Sequence, residues 1–118
     1  MRAIRGAICL TRDDADEMRE AVGELLSEML RRNDLGQEAV VSVLLTSTPD
    51  LRSGFPAAGA RAAGFTDIPL ICAQEIDVDG ALPLVVRAMM HVDADRPRAA
   101  IEHVYLRGAE VLRADLQK

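Results

Sequence analysis

The segment Val-Val-Ser-Val-Leu-Leu-Thr at residues 40–46 restricts the possible folds more than any other part of the sequence. It is a continuous run of β-branched and leucine side chains, which is typical of a strand covered on both faces. The chain has 118 residues, and a domain of this size buries roughly 65% of the surface that its unfolded chain exposes. Few residues are left in such a chain to cover a second face of the sheet. The segment therefore predicts that further copies of the chain cover that face.

The remaining patterns place one long helix and several strands along the chain. The long helix is predicted from apolar side chains at helical spacing between Met18 and Leu30, with acidic residues at its start and arginines at its end. Strands are predicted at 3–10, 40–46, 68–75, 84–92 and 104–112, the long helix at 13–33, and short helical segments at 55–63 and 97–102. This order predicts a single domain, residues 1–118, of the α+β class with its helices on one side of the sheet.

Composition and charge exclude several classes of partner. The formal net charge is -5, from 19 acidic and 14 basic residues, and has the wrong sign for binding nucleic acid or acidic lipid. The only cysteines are Cys9 and Cys72, without CxxC spacing, so neither a disulfide framework nor a zinc site is indicated. The first residues lack the apolar run of a signal peptide, and charges interrupt every long hydrophobic stretch. We expect a cytoplasmic protein with no nucleic-acid, membrane or metal partner.

Two arginines lie in the middle of apolar strand patterns, where a charge is rare unless it is paired or meets a ligand. Arg5 shares a strand face with Ala7 and Cys9, and Arg87 lies on the face opposite Val86 and Ala88. Glu75 ends another apolar strand and is the natural counter-charge. An arginine on an edge strand, or a purely structural Arg-Glu pair, explains each residue taken alone. The three together favour a functional site more than any one of them does alone.

Other candidate residues give weaker signals. Cys72 with His91 or His103 suggests an activated thiolate, but packing or substrate contact explains this cysteine better, since no third group orients the imidazole. The histidines form no metal-binding motif with Asp93 or Asp95, and the glycines form no phosphate-binding loop. Tyr105, the only tyrosine, lies on the last predicted strand, where ordinary half-buried packing also explains it.

Several segments in order along the chain resemble the monofunctional chorismate mutases of the AroH class. They are Ile4-Arg5-Gly6-Ala7, Ser47-Thr48-Pro49-Asp50-Leu51, Phe55-Pro56-Ala57, Cys72-Ala73-Gln74-Glu75-Ile76-Asp77-Val78, Arg87-Ala88-Met89-Met90, His103-Val104-Tyr105-Leu106 and Leu112-Arg113-Ala114-Asp115-Leu116. No single segment is decisive, but their order over nearly the whole of one short chain makes coincidence improbable.

The resemblance implies a chorismate mutase-like pseudo-barrel, a homotrimer of mixed β-sheets packed around a three-fold axis with one long and two short helices per chain. Three active sites are expected in the clefts between subunits. The implied reaction is the Claisen rearrangement of chorismate to prephenate, at the branch point toward phenylalanine and tyrosine. It needs no cofactor, no covalent intermediate and no proton transfer.

The resemblance also implies roles for individual residues. Arg87 and Glu75 are the expected catalytic residues, with Arg87 reaching the ether oxygen of the substrate. Arg5 and Tyr105 are expected to hold substrate carboxylate, and Glu75 and Cys72 to contact the ring hydroxyl. The residues expected to line or close the pocket are Phe55, Ala57, Arg61, Leu112 and Arg113.

One position departs from the family, and two other functions compete. Ala58 stands where members of the family often have a lysine after Phe-Pro-Ala, so one peripheral positive charge is missing. One competing function is that of the small deaminases with a similar trimeric fold, but their Gly-Pro-Tyr-Ser stretch is absent from the sequence. The other is a non-catalytic trimer that binds an aromatic acid, which Arg5 and Arg87 alone do not exclude.

Overall fold

A computed structural model describes residues 1–112 of the chain. Its elements are β1 (Arg2–Cys9), α1 (Ala15–Arg31), β2 (Val40–Ser47), α2 (Pro56–Ala62), β3 (Leu70–Gln74), β4 (Val85–Val92) and β5 (Val104–Leu106), with 3₁₀ turns at Gln37–Ala39 and Arg98–Ala100. The strands form one mixed sheet in the order β3-β2-β4-β1-β5. β4 is antiparallel to both β1 and β2, whereas β5 is parallel to β1 and β3 is parallel to β2. The predicted α+β class is confirmed.

Both helices pack on the same face of the sheet, as the sequence predicts. Alternate strand residues such as Ile4, Val43 and Met90 are fully buried there, against the apolar side of α1. Burial of a large aliphatic side chain contributes about 1.5–3 kcal/mol, so the many side chains buried at this interface stabilise the fold. Among residues 1–112, no helix has the length and apolar character that crossing a membrane requires.

The ends of α1 show why the helix occupies these residues. The Asp14 carboxylate accepts a hydrogen bond from the backbone N–H of Glu17 at 2.9 Å and caps the first turn. The Glu17 carboxylate in turn accepts the N–H and hydroxyl of Thr11, at 2.6 and 2.8 Å. At the other end the predicted pair between Glu28 and Arg32 is present at 3.8 Å. The helix found is two residues shorter at each end than the predicted range 13–33.

A glycine allows the two helices to lie close together. A Cβ added to Gly59 of α2 would lie 2.7 Å from Cβ of Val22 and 3.1 Å from backbone atoms of Arg19. These atoms belong to α1 and cannot move aside without moving the helix. Gly59 therefore fixes the approach of α2 to α1, and with it the position of the segment that begins at Phe55.

The prediction of a long last strand is wrong. β5 ends at Leu106, because the backbone turns into left-handed geometry at Arg107 (φ 52°) and Gly108 (φ 96°). Two successive residues in that region cannot continue a strand. Residues 110–112 are helical instead, which brings Leu112 back toward the sheet.

Within one chain, β2 is covered on one face only. Val43 and Leu45 are buried under the helices, but Leu44 is 38% exposed on the other face. Its partner on β3, Ile71, is 64% exposed. The prediction that β2 is covered on both faces therefore needs another chain. We refer to the side of the sheet opposite the helices as the open face.

Candidate active site

Strand pairing gathers the predicted polar residues on the open face. Tyr105 pairs with Ala7, Ala7 with Arg87, and Arg87 with Thr46, so these four residues form one row across the sheet. Side chains at paired positions point to the same face. Since the sheet order is not the chain order, residues far apart in sequence become neighbours in this row.

A cavity of about 400 Å³ lies over this row. Arg5, from the adjacent row, contributes a second guanidinium beside that of Arg87, and Leu44, Met89 and Leu112 contribute apolar surface. A cavity of this size suits a small molecule, and two guanidinium groups favour carboxylate oxygens. The structure thus brings Arg5, Arg87, Tyr105 and Leu112 together around one cavity.

Glu75 fixes the guanidinium of Arg87 at the rim of the cavity. Nε of Arg87 lies 3.1 Å from Oε2 of Glu75, and the hydroxyl of Thr46 donates to the same oxygen at 2.6 Å. The backbone N–H of Glu75 is bound to the Ser47 carbonyl at 2.9 Å, which continues the β2 pairing one residue past β3. Within residues 1–112 the terminal nitrogens of this guanidinium make no hydrogen bond, which leaves them available to a ligand.

Four of the predicted pocket residues lie elsewhere in the same chain. Cys72 pairs with buried Leu45, so its side chain is on the helix side of the sheet. Phe55 is 74% exposed, and the two residues line a separate groove of about 380 Å³ at the β3 edge. Ala57 packs in the core and Arg61 is exposed in the last turn of α2. Within one chain these residues do not join the cavity.

Two further expectations concern Arg113, near the end of the chain, and the lack of a metal site. Arg113, expected to close the pocket, lies outside the described residues. Among residues 1–112, no group of three His, Cys, Asp or Glu side chains is placed to hold a metal ion.

The structure adds one polar site residue that the sequence analysis missed. Thr46 lines the cavity and binds Glu75, but in the sequence it only closes an apolar run. The sequence signal for Thr46 is a polar side chain directly after Leu45. In a strand, Thr46 therefore faces the side of the sheet opposite to buried Leu45. Without the register of β2 against β4, nothing placed it opposite Arg87.

Cys9 lies beside the site, and the pKa of its thiol is raised. Burial is the main cause that raises its pKa, and the nearby carboxylate of Glu110 raises it further, while Arg87 has the opposite, smaller effect. A thiol with a raised pKa is a poor nucleophile at neutral pH.

These features define an α+β protein with an arginine-lined cavity, suited to a small carboxylate ligand, on an uncovered sheet face. Residues 1–116 match the chorismate mutase type I family. The chain is 42% identical to chorismate mutase AroH of Bacillus subtilis (strain 168), over 98% of this chain and 92% of that protein. It is also 42% identical to chorismate mutase AroH of Thermus thermophilus, over 99% and 97% of the two chains.

A solved structure agrees with these sequence matches. A chorismate mutase from Clostridium thermocellum superposes with a TM-score of 0.91 and 43% sequence identity, over 94% of this chain and 99% of that one. The chain therefore belongs to the chorismate mutase type I family. It is a chorismate mutase, an isomerase, and the family resemblance inferred from the sequence is confirmed.

Proposed function

We propose that this chain converts chorismate into prephenate in the biosynthesis of phenylalanine and tyrosine, with Arg87 as the catalytic cation. The observation that carries the proposal is the guanidinium of Arg87 at the cavity, held 3.1 Å from Glu75. An arginine fixed in this way is already in place when negative charge develops in the transition state. The family match supports the identity of the substrate.

The proposed reaction is a rearrangement within one molecule. The ether C–O bond of the substrate breaks as a new C–C bond forms between the enolpyruvyl arm and the ring, and no atom or proton enters or leaves. Since C–O cleavage runs ahead of C–C formation, partial negative charge appears on the ether oxygen. The terminal nitrogens of Arg87 stabilise that charge, and Glu75 prevents the guanidinium from turning away.

Arg5 and Tyr105 supply the second part of the proposed catalysis. Both line the cavity beside Arg87 and offer hydrogen-bond donors to the substrate carboxylates. Holding the carboxylates keeps the enolpyruvyl arm over the ring, so that less conformational freedom is lost at the barrier. Thr46 acts through Glu75, to which it donates a hydrogen bond.

The complete site is proposed to form between subunits of a homotrimer. The cavity residues lie on the open face, while Phe55 and Cys72 lie at the β3 edge of the same chain. Leu44, at the cavity, and Ile71, paired with it on β3, expose apolar surface on the open face. If open faces pack around a three-fold axis, this apolar surface is buried and the β3 edge of one subunit can meet the cavity of its neighbour.

The cysteines support a cytoplasmic location as part of the same proposal. Cys9 and Cys72 are both free thiols in the structure. Free half-buried thiols are typical of proteins that work in a reducing compartment.

A single assay tests the function, and two arginine variants test the mechanism. We expect the purified chain to consume chorismate and to release prephenate, which is identified as the product by its acid-induced conversion to phenylpyruvate. Arg87→Ala should remain folded and lose at least ~10²-fold in kcat, as when one transition-state donor is removed from an enzyme. Arg31→Ala is the matched control, because Arg31 also pairs with a glutamate but lies on α1, away from the cavity.

Three outcomes would contradict the proposal. Binding of chorismate without turnover would identify a non-catalytic binding module. Hydrolysis of an enamine or imine substrate in place of the rearrangement would identify the competing deaminase chemistry. Near-normal turnover by Arg87→Ala would leave the activity in place but remove the role assigned to this arginine.

A further inference from the structure

An imidazole ring completes the hydrogen bonding of β1 at Arg5. The backbone N–H of Arg5 donates to Nδ1 of His103 at 2.9 Å. The parallel pairing of β1 with β5 begins one residue later, where Gly6 lies opposite Val104. At Arg5 there is no strand residue to accept the N–H, so the side chain of His103 takes the place of a backbone carbonyl.

The backbone on both sides of His103 is fixed. On one side, the buried side chain of Asn33 donates to the Glu102 carbonyl at 2.9 Å and accepts the Glu102 N–H at 2.8 Å. On the other side, Val104 is fully buried in β5. The ring is therefore attached to a rigid frame and can transmit its position to β1.

The direction of the hydrogen bond assigns the proton on the ring. A nitrogen that accepts an N–H carries no hydrogen of its own, so Nδ1 of His103 is the unprotonated nitrogen. The ring can hold Arg5 only in this form.

We infer that His103 is a positioning residue that acts through Arg5, and this inference rests on the proposed function. Arg5 lines the cavity with its side chain while His103 holds its backbone. A shift of the Arg5 backbone would move the guanidinium away from the substrate carboxylate. Sites of this kind must be held to within roughly 0.5 Å to work.

The kinetic signature follows from the group that Arg5 binds. A carboxylate carries nearly the same charge in bound substrate and in the transition state, so a small displacement of Arg5 that still leaves the enolpyruvyl arm over the ring weakens the binding of both nearly equally. The loss should therefore appear in KM and not in kcat. If His103 contributed to stability alone, replacing it would lower the unfolding temperature and leave KM unchanged.

Side-chain geometry provides variants that separate the two ring nitrogens. Asparagine places its carbonyl oxygen close to the position of Nδ1, whereas glutamine reaches the position of Nε2. His103→Asn can accept the N–H of Arg5, and His103→Leu cannot. We expect His103→Leu and His103→Gln to raise KM for chorismate by about two- to tenfold, the loss of one hydrogen bond, with kcat within about twofold. His103→Asn should remain within about twofold of the parent KM.

His91 offers a matched control on the same face of the sheet. Its Nδ1 lies 3.3 Å from the hydroxyl of Ser42, and no described hydrogen bond joins it to Arg5. We expect His91→Leu to leave KM within about twofold of the parent, because the contact that it breaks is with Ser42 and not with Arg5.

A double-mutant cycle decides between positioning and an independent effect. Once Arg5→Ala has removed the guanidinium, we expect His103→Leu to raise KM no further, because residues that act through one another are not additive. Additive effects, or a KM for His103→Asn as high as that for His103→Gln, would overturn the inference. If His103→Leu does not fold by circular dichroism, the asparagine and glutamine variants are compared in its place. A parent that fails to form prephenate would refute the proposed function, whereas an active parent with an additive cycle refutes only the role of His103.

Discussion

Glu75 and Arg87 meet across an intervening strand, with Nε of Arg87 3.1 Å from Oε2 of Glu75. Arg87 lies in β4 and Glu75 directly follows β3, while β2 runs between those two strands. Thr46 of β2 lies between the two residues, and its hydroxyl donates a hydrogen bond to the same carboxylate oxygen. The position of the arginine thus depends on three strands. Since both groups are partly exposed, the pair is better suited to orienting the guanidinium than to stabilising the fold.

The first prediction concerns the hydroxyl of Thr46. Thr46→Val keeps the shape and β-branching of the side chain but removes the donor to Glu75. We expect kcat to fall by about two- to tenfold, because a carboxylate that has lost one hydrogen bond holds Arg87 less firmly. Steady-state kinetics with chorismate measure this. Thr66→Val, at an exposed position outside the site, is the control, and an unchanged kcat for Thr46→Val would show that Glu75 needs no support from β2.

The second prediction concerns the open face. Ile71 is 64% exposed in one chain, and the proposed trimer buries it. Ile71→Lys should therefore dissociate the trimer, since an interface core does not tolerate an unpaired charge, and most of the activity should be lost with it. Ala62→Lys, at an exposed position on the helix side, should leave both mass and activity unchanged. Light scattering and the prephenate assay, applied to the same samples, measure both; a parent that is an active monomer would contradict the trimer.

The regular elements could be predicted from the sequence because the apolar spacing of each one extends over many residues. α1 was predicted from apolar residues at helical spacing over most of its length, and its two ends from residues such as Asp14. The inward face of β4 was predicted from strict alternation, which the burial of Val86 and Met90 confirms. The end of β5 depended instead on left-handed geometry at Arg107, a single residue whose type does not favour it.

The grouping of site residues could not be predicted from spacing. Arg5, Arg87 and Tyr105 lie on three strands whose order in the sheet differs from their order in the chain. The family resemblance supplied the grouping, and the structure places these three residues around one cavity. Thr46 was missed because its role depends on register, and the side of the sheet on which Cys72 lies depends on the pairing of β3 with β2.

The third prediction separates contact from covalent chemistry at Cys72. Cys72→Ser should retain measurable activity, because the proposed rearrangement forms no bond to the enzyme. Alkylation of the parent should inhibit only by filling space, so substrate present during alkylation should protect the enzyme. Intact-mass measurement during turnover is the direct test. A substrate adduct on this cysteine would contradict the rearrangement mechanism.

The fourth prediction concerns stability at low pH. The Asp13 carboxylate accepts the backbone N–H groups of Arg52 and Ser53 at 2.9 and 3.0 Å, and the first of these bonds is the main reason that its pKa lies below the usual value. A lowered pKa in the folded state stabilises the fold above the ordinary aspartate pKa of about 4, and this contribution is lost as the pH falls through the folded-state pKa.

Asp13→Asn should therefore be less stable than the parent at neutral pH and should lose less stability between neutral pH and about pH 2. Urea unfolding midpoints across this range measure the difference. The Glu17 carboxylate, whose pKa is lowered chiefly by the backbone N–H of Thr11, gives a slope of the same sign, so the variant should retain part of the pH dependence. Identical slopes for parent and variant would show that Asp13 does not contribute.

The last prediction concerns Ala58, the position at which the sequence analysis expects a lysine in many members of the family. Ala58 lies half-buried in the first turn of α2, next to the segment that carries Phe55. In the proposed trimer this segment borders the cavity of a neighbouring subunit, so a lysine here would meet a substrate carboxylate at the rim. We expect Ala58→Lys to lower KM and to leave kcat nearly unchanged, because the charge of that carboxylate is almost the same in the ground and transition states.

The size and the salt dependence of the decrease in KM distinguish tighter substrate binding from an effect on the chemical step. A partly exposed ion pair contributes only about 0.2–1 kcal/mol, which is a factor of a few in affinity, and added salt weakens it. Kinetic curves for parent and Ala58→Lys at low and moderate ionic strength measure this directly, and Ala58→Gln controls for side-chain length without the charge. If kcat rises while KM stays constant, the lysine acts on the charge that develops in the transition state. The assignment of that charge to Arg87 alone would then be wrong.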